Sequence, residues 1–114
     1  MKIGVPREIK NHEYRVAMTP AGVHELTSRG HEVIVEADAG AGSSFDDADY
    51  KAAGAQIVVT ADEVWQAADL LLKVKEPVAE EFSRLGRDQV LFTYLHLAAS
   101  RATTDALLAS GTTA

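Results

Sequence analysis

The chain has 114 residues, which fits one domain, and its 46% hydrophobic and 25% charged residues are ordinary for a folded protein. A net charge of −6 with scattered basic residues argues against nucleic acid or membrane partners, since both bind through clustered Lys and Arg. There is no cysteine, the four histidines lack metal-ligand spacing, and no apolar run approaches the about 20 residues of a membrane span. We expect a cytoplasmic domain without a metal site or a signal peptide.

A long, charged loop follows the first predicted strand, residues 2–5. It ends at Thr19-Pro20, an N-cap followed by proline at the first helical position. Connections of this kind usually take about 2–6 residues, so a loop of roughly a dozen indicates a functional segment. Within it, Glu8, Lys10 and Glu13 are expected to form ion pairs that shape the loop.

Apolar runs and helical segments alternate along the rest of the chain. Further strands are predicted at 32–36, 56–59, 70–74 and 90–94. Helices are predicted from Pro20 to Gly30, from Asp46 to Ala53, after a capping box at Thr60, across 78–85, and from Ser100 to Gly111. This alternation predicts an α/β fold, a Rossmann-like or flavodoxin-like wound parallel sheet with flanking helices. A sixth strand is due after residue 111, so the fold is expected to be incomplete at its carboxyl terminus.

Open parallel sheets bind ligands just beyond the carboxyl ends of their strands. Three residues suited to binding an anion and exchanging protons follow strands of the predicted sheet. Arg15 lies in the loop after the first strand, Lys75 follows the fourth and His96 follows the fifth. Arg grips a carboxylate with a planar fork, Lys adds positive charge, and His exchanges protons near neutral pH. The set predicts a site for a small carboxylate. The simpler alternative is an ion pair with Glu13, a lysine beside a helix start, and a hydrogen-bonded core histidine.

Two other patterns give only weak evidence of a binding site. The segment 40–45, GAGSSF, begins like a dinucleotide-binding loop but has Phe45 where the third glycine belongs, so nucleotide binding there is not expected. The carboxylates Asp46, Asp47 and Asp49 suit the start of a helix, which explains them more simply than a metal site does.

Four segments of the sequence jointly carry a resemblance to a known family: PREIKNHEYRVAMTPAGV, RGHEVIVEADAGAGSSF, LLLKVKEP and FTYLHLAASR. They resemble the amino-terminal part of bacterial alanine dehydrogenases, and the match covers essentially the whole chain. The wider group includes the α-subunit of nicotinamide nucleotide transhydrogenase and saccharopine dehydrogenase, but VKEP and LHLAA resemble alanine dehydrogenase most.

The resemblance implies oxidative deamination of L-alanine to pyruvate and ammonia with NAD as cofactor, and the reverse reaction. In the family, an arginine of the first loop and the lysine of VKEP hold the substrate carboxylate, and the histidine of LHLAA acts as acid/base. These roles fall on Arg15, Lys75 and His96. Homo-oligomers are also implied for the complete enzyme.

The chain departs from the family in length. Family members carry a separate NAD-binding Rossmann domain and a further catalytic aspartate, and neither is found in residues 1–114. We therefore expect a substrate-binding domain with no cofactor-binding residues of its own, unable to transfer hydride alone. Two alternatives stay open: a stand-alone or remnant module that binds a small amino or keto acid without catalysis, and the amino-terminal part of a transhydrogenase α-subunit.

Overall fold

A five-stranded parallel sheet forms the centre of the computed structural model, which describes all residues from Met1 to Ala114. The strands are β1 (Lys2–Val5), β2 (Glu32–Glu36), β3 (Gln56–Val58), β4 (Leu70–Lys75) and β5 (Val90–Tyr94). Their spatial order, β3-β2-β1-β4-β5, is the Rossmann order and differs from that of flavodoxin. The predicted α/β class is confirmed, and the strand order shows that the topology is Rossmann-like and not flavodoxin-like.

Helices follow the strands at the predicted places, except between β4 and β5. They are α1 (Pro20–Ser28), α2 (Asp47–Ala52), α3 (Ala61–Ala67) and α4 (Arg101–Ser110), with 3₁₀ turns at Ala41–Ser43, Ala79–Arg84 and Leu97–Ala99. Each α-helix begins at a side-chain oxygen that accepts a backbone N–H of the first turn; these N-caps are Thr19, Asp46, Thr60 and Ser100. None of the helices has both the length and the apolar character needed to cross a bilayer.

The core lies on both faces of the sheet, because successive strand residues point to opposite sides. One cluster packs under α1 and α2 and includes Ile3, Val5, Val33, Val35 and Tyr50. The other packs under α3 and α4 and includes Ile34, Val64, Trp65, Leu71, Leu91 and Leu107. Gly4 lets α3 approach β1 closely, since a Cβ at this position would lie 2.7 Å from the Cβ of Ala68.

The segment predicted as a helix across 78–85 is instead the 3₁₀ turn Ala79–Arg84. Its first bond runs from the Glu81 N–H to the carbonyl of Val78, three residues back, at 2.8 Å. The carboxylate of Glu81 accepts the Val78 N–H at 3.1 Å and also contacts Lys73 in the sheet. These contacts tie Glu81 to both Val78 and the sheet, and the segment keeps the tighter spiral with bonds between residues three apart.

One face of β5 lacks a covering helix. Phe92 and Tyr94 are 72% and 71% exposed, and Leu72, the register partner of Phe92, belongs to the face covered elsewhere by α1 and α2. At the edge of the sheet, the Leu91 N–H donates to the Thr113 carbonyl at 2.7 Å, and Thr113 forms a parallel bridge with Val90. The chain after α4 therefore begins to pair beside β5, as the expected sixth strand would.

Candidate functional site

The loop between β1 and α1 is fixed to β4 by Glu8. This buried carboxylate accepts the backbone N–H groups of Val74 and Lys75, both at 3.1 Å, and the ammonium of Lys73 at 3.1 Å. The register between β4 and β5 shifts at this point, since Leu72 pairs with Phe92 but Lys75 pairs with Tyr94. The carboxylate thus satisfies two N–H groups at a β-bulge, a feature that often redirects side chains beside functional sites.

Lys73 lies at the centre of a buried charge cluster that the sequence analysis did not identify. Its ammonium is 3.1 Å from Glu8 and 3.2 Å from Glu81, and all three side chains are at most 2% exposed. Burial raises the pKa of Glu81, and the neighbouring ammonium opposes this rise. The feature of the sequence that could have revealed this cluster is the lysine itself, which interrupts the otherwise apolar run of β4.

Arg15 is exposed and paired with Glu13. The carboxylate of Glu13 accepts from Arg15 Nε at 2.9 Å, from Nη2 at 2.7 Å and from the backbone N–H at 3.1 Å. Hydrogen bonding to Arg15 lowers the pKa of Glu13 to about 2, although partial desolvation opposes this. A guanidinium has five N–H donors, so the edge formed by Nη1 and the outer side of Nη2 is left for another acceptor.

Lys75 ends β4 beside the loop. Its positive charge also lowers the pKa of Glu13, which places its ammonium in the same electrostatic environment as Arg15. The bulge pairs Lys75 with Tyr94, and paired residues of a parallel sheet share a face, so Lys75 lies on the face of Leu72 rather than on that of Lys73.

His96 follows β5 by two residues and has a left-handed backbone conformation, with φ of 49°. Its side chain is 58% exposed, so the alternative of a core histidine is wrong. Its Nδ1 lies 3.5 Å from Oε2 of Glu76, a buried carboxylate whose other oxygen pairs with Lys10. Glu76 was not recognised as a site residue from the sequence; its only signal was its place between Lys75 and a proline.

The loop ion pairs are present, but two have partners outside the loop. Glu13 pairs with Arg15 within it, whereas Lys10 pairs with Glu76 and Glu8 with Lys73. The loop is therefore fixed to β4 and to the residue that follows it.

An open cavity of about 520 Å³ lies at this edge of the sheet. Its polar lining includes Arg15 and Tyr94, and its apolar lining includes Met18, Leu72 and Phe92. Since β1, β4 and β5 are neighbours, their carboxyl ends bring Arg15, Lys75 and His96 to one edge. Arg15 lines the cavity, whereas Lys75 and His96 follow the neighbouring strands without being part of its lining. Two cations and an imidazole at one edge can bind a carboxylate and exchange protons.

The glycine pattern of a dinucleotide-binding loop is missing from segment 40–45 and from the loop after β1. The glycines of segment 40–45 serve packing: a Cβ on Gly40 would lie 2.7 Å from the Tyr50 ring, and one on Gly42 would lie 2.6 Å from the Tyr14 carbonyl oxygen. The loop after β1, where the phosphate-binding glycines of a Rossmann fold stand, contains none. No group of three His, Asp or Glu side chains is arranged to hold a metal ion.

The chain is similar to known proteins over nearly its whole length. Residues 4–114 match the family model described as "Alanine dehydrogenase/PNT, N-terminal domain". The chain is 69% identical over 113 residues to an alanine dehydrogenase of Mycobacterium tuberculosis H37Rv and 60% identical over 113 residues to one of Halomonas elongata. Each alignment covers 99% of this chain but 30% of the relative, so the chain spans about a third of the length of these proteins.

Solved structures show the same similarity. An L-alanine dehydrogenase structure superposes with a TM-score of 0.95 at 48% identity, covering 98% of this chain and 31% of the other. A transhydrogenase structure from Sinorhizobium meliloti superposes with a TM-score of 0.89 at 32% identity, covering 98% of this chain and 32% of the other. The chain therefore belongs to the alanine dehydrogenase/PNT N-terminal domain family.

Proposed function

We propose that this chain is the substrate-binding domain of an NAD-dependent L-alanine dehydrogenase, which reversibly converts L-alanine, NAD and water to pyruvate, ammonia and NADH. The observation that carries the proposal is the strand order, which sets the carboxyl ends of β1, β4 and β5, the strands that precede Arg15, Lys75 and His96, side by side. Its support is the 69% identity to an alanine dehydrogenase over nearly the whole chain.

Arg15 and Lys75 bind the substrate carboxylate in this proposal. Glu13 holds one edge of the Arg15 guanidinium, which fixes the side chain and leaves the terminal edge to grip a second carboxylate. Lys75 supplies a compact positive charge from the adjacent strand end. An anionic acid of three carbons would then be oriented by its carboxylate, with its α-carbon directed toward β5.

His96 exchanges protons with the reacting groups. When water adds to the imine carbon and ammonia leaves, a proton must be removed from the water oxygen and another delivered to the leaving nitrogen. An imidazole can do both near neutral pH. The 58% exposure of the His96 side chain leaves the ring accessible to a small molecule, which suits this role.

Other properties of the complete enzyme are part of the same proposal. Because the loop after β1 lacks the phosphate-binding glycines of a dinucleotide site, we assign NAD binding to another part of the enzyme. The enzyme is cytoplasmic and acts as a homo-oligomer, and the 114-residue chain alone does not transfer hydride.

The second candidate is the amino-terminal part of a transhydrogenase α-subunit, which the TM-score of 0.89 to a transhydrogenase favours. A third is a module that binds a small amino or keto acid without catalysis. Binding of pyruvate separates the dehydrogenase and the module from the transhydrogenase, and turnover separates the dehydrogenase from the module.

The test is a chimera in which this chain replaces the matching part of the M. tuberculosis relative, assayed for pyruvate-dependent oxidation of NADH. We expect activity, and we expect Arg15→Ala and Lys75→Ala to raise the KM for pyruvate about 10–100-fold, because hydrogen bonds to charged groups contribute roughly 1.5–3 kcal/mol. His96→Ala should instead lower kcat by about 10²–10⁴-fold.

Arg29→Ala and Lys2→Ala are matched controls, because both residues lie near the amino ends of strands, at the opposite edge of the sheet. They should leave KM and kcat unchanged. A folded chimera without activity, together with no pyruvate binding by the chain in NMR titrations, would refute the proposal. Binding without activity would favour the non-catalytic module.

A further inference from the structure

Glu76 has a buried carboxylate oxygen without a partner. The residue is 8% exposed, its Oε1 pairs with Lys10, and its Oε2 is buried with no hydrogen bond. Buried polar atoms are nearly always hydrogen-bonded, since an unpaired one carries an uncompensated desolvation cost. An exception next to a proposed site therefore calls for a partner.

The ring of His96 supplies that partner. Its Nδ1 lies 3.5 Å from the unpaired Oε2, which is slightly too long for a hydrogen bond, and hydrogen bonds between catalytic groups are often long before substrate binds. The imidazole is more than half exposed and can rotate, whereas burial and Lys10 fix the carboxylate. A small movement of the ring completes the bond.

The carboxylate is ionised when it meets the ring. Burial alone would raise the pKa of Glu76, but the Lys10 hydrogen bond and charge, a backbone N–H and His96 outweigh it, and the pKa is lowered. The two ionisable side chains facing this carboxylate are Lys10, from the loop after β1, and His96, from the turn after β5. Both can donate a proton to it in a hydrogen bond.

We propose that Glu76 is a positioning residue that holds the proton of neutral His96 on Nδ1, so that Nε2 faces the substrate as the atom that exchanges protons. In a neutral imidazole one nitrogen is a donor and the other an acceptor, and the hydrogen bond at one decides the role of the other. The part of the proposal that concerns the substrate rests on the proposed dehydrogenase function, whereas the tautomer does not.

The tautomer is measured on the chain itself by ¹H–¹⁵N NMR of the imidazole, at a pH where His96 is neutral, with its signals identified by their loss in His96→Gln. We expect the Nδ1–H form in the wild-type chain and the Nε2–H form in Glu76→Ala. Glu76→Gln keeps an acceptor oxygen but loses the charge, so it should lower the Nδ1–H population less. Glu80→Gln, which changes an exposed carboxylate nearby, should leave the tautomer unchanged.

Lys10→Met separates orientation of the ring from anchoring of the loop. If Glu76 acts on His96 directly, this variant retains the Nδ1–H form, because the carboxylate remains buried beside the ring and can still accept from Nδ1. If Glu76 acted only by holding the loop through Lys10, Lys10→Met would change the tautomer as much as Glu76→Ala does. That result would overturn the proposal.

In the chimera, Glu76→Ala should lower kcat roughly 10–100-fold, the usual effect of losing a group that orients a functional histidine, with little change in the KM for pyruvate. Glu76→Gln should retain more activity than Glu76→Ala. An unchanged tautomer in folded Glu76→Ala refutes the proposal; if that variant does not fold, an unchanged population in Glu76→Gln refutes it. An inactive chimera with the tautomer change present refutes only the dehydrogenase function.

Discussion

One edge of the Arg15 guanidinium is occupied by Glu13. Glu13 engages Nε and Nη2 of the guanidinium and is itself almost covered, while Arg15 remains exposed. The simple ion pair considered as an alternative to a substrate clamp is therefore present. The two are compatible because a guanidinium has two edges, and an Arg held on one edge is better oriented to bind on the other.

This pair predicts a pH dependence of stability. The pKa of Glu13 is about 2 in the folded chain and near 4.5 in the unfolded one, so the unfolded state binds more protons between these values. The stabilisation is complete above about 4.5 and is lost as the pH falls toward 2. Urea unfolding of the wild type and of Glu13→Gln across this range should show a smaller loss of stability in the variant.

Arg15→Gln is the reciprocal control for that experiment. It removes the guanidinium but keeps the backbone N–H donor of residue 15 and the charge of Lys75, so its loss of stability between pH 4.5 and 2 should lie between those of the wild type and Glu13→Gln. The double variant should show the same pH dependence as Glu13→Gln. Added salt should weaken the effect in the wild type, because Arg15 is exposed. A steeper loss in either variant than in the wild type would contradict the assignment.

At the scale of elements, β4 carries three different tasks over five residues. Leu71 packs in the core, Lys73 joins the buried charge cluster, and Lys75 reaches the site edge. In a regular strand Lys73 and Lys75 would share a face, but the bulge places them on opposite faces. Glu8 stabilises this irregularity by accepting both N–H groups there.

Loss of Lys73 should be severe. Lys73→Met would leave the carboxylates of Glu8 and Glu81 buried without their cation, which typically costs about 3–5 kcal/mol in the free energy of unfolding. The same substitution at Lys2, whose pair with Glu32 is solvent-exposed, should cost at most about 0.5 kcal/mol. Urea denaturation measures both values, and similar losses in the two variants would exclude a structural role for the cluster.

At the scale of the whole molecule, the two faces of the sheet are unequally covered. Near β5, the face under α3 and α4 is closed, whereas the opposite face exposes Phe92 and Tyr94 beside the cavity. Exposed aromatic side chains that are adjacent in this way are uncommon on monomeric proteins. This face belongs to the edge of the domain that also carries the candidate site.

Neighbouring residues of β5 test this asymmetry. Leu91→Ala should cost about 2–5 kcal/mol of stability, because Leu91 is buried in the core. Phe92→Ala should change stability by about 0.5 kcal/mol or less, since the ring contributes little when exposed, and should reduce the binding of a hydrophobic dye. Chemical denaturation and dye fluorescence give the two readings. An equal loss of stability in both variants would show that Phe92 is covered in solution.

The sequence by itself determined the α/β class, the strands, the N-caps at Thr19, Asp46, Thr60 and Ser100, and the strand ends that carry Arg15, Lys75 and His96. These follow from local periodicity and capping chemistry, which act over a few residues. It also matched the family, through motifs spread along the chain.

Only the tertiary structure decided the strand order, the bulge in β4, the 3₁₀ turn around Glu81 and the contacts of Glu8 and Glu76. The strand order, the bulge and the contacts of Glu8 and Glu76 depend on groups about 20 to 67 residues apart in the chain, and the turn depends on the contact between Glu81 and Lys73 in the sheet. Burial, not spacing, fixes these pairings. A lysine inside a buried strand indicates that a carboxylate is buried beside it, but it does not identify which Asp or Glu supplies that carboxylate. The tertiary structure decides which carboxylate pairs with the lysine, because a charge can be buried only where its partners lie close to it.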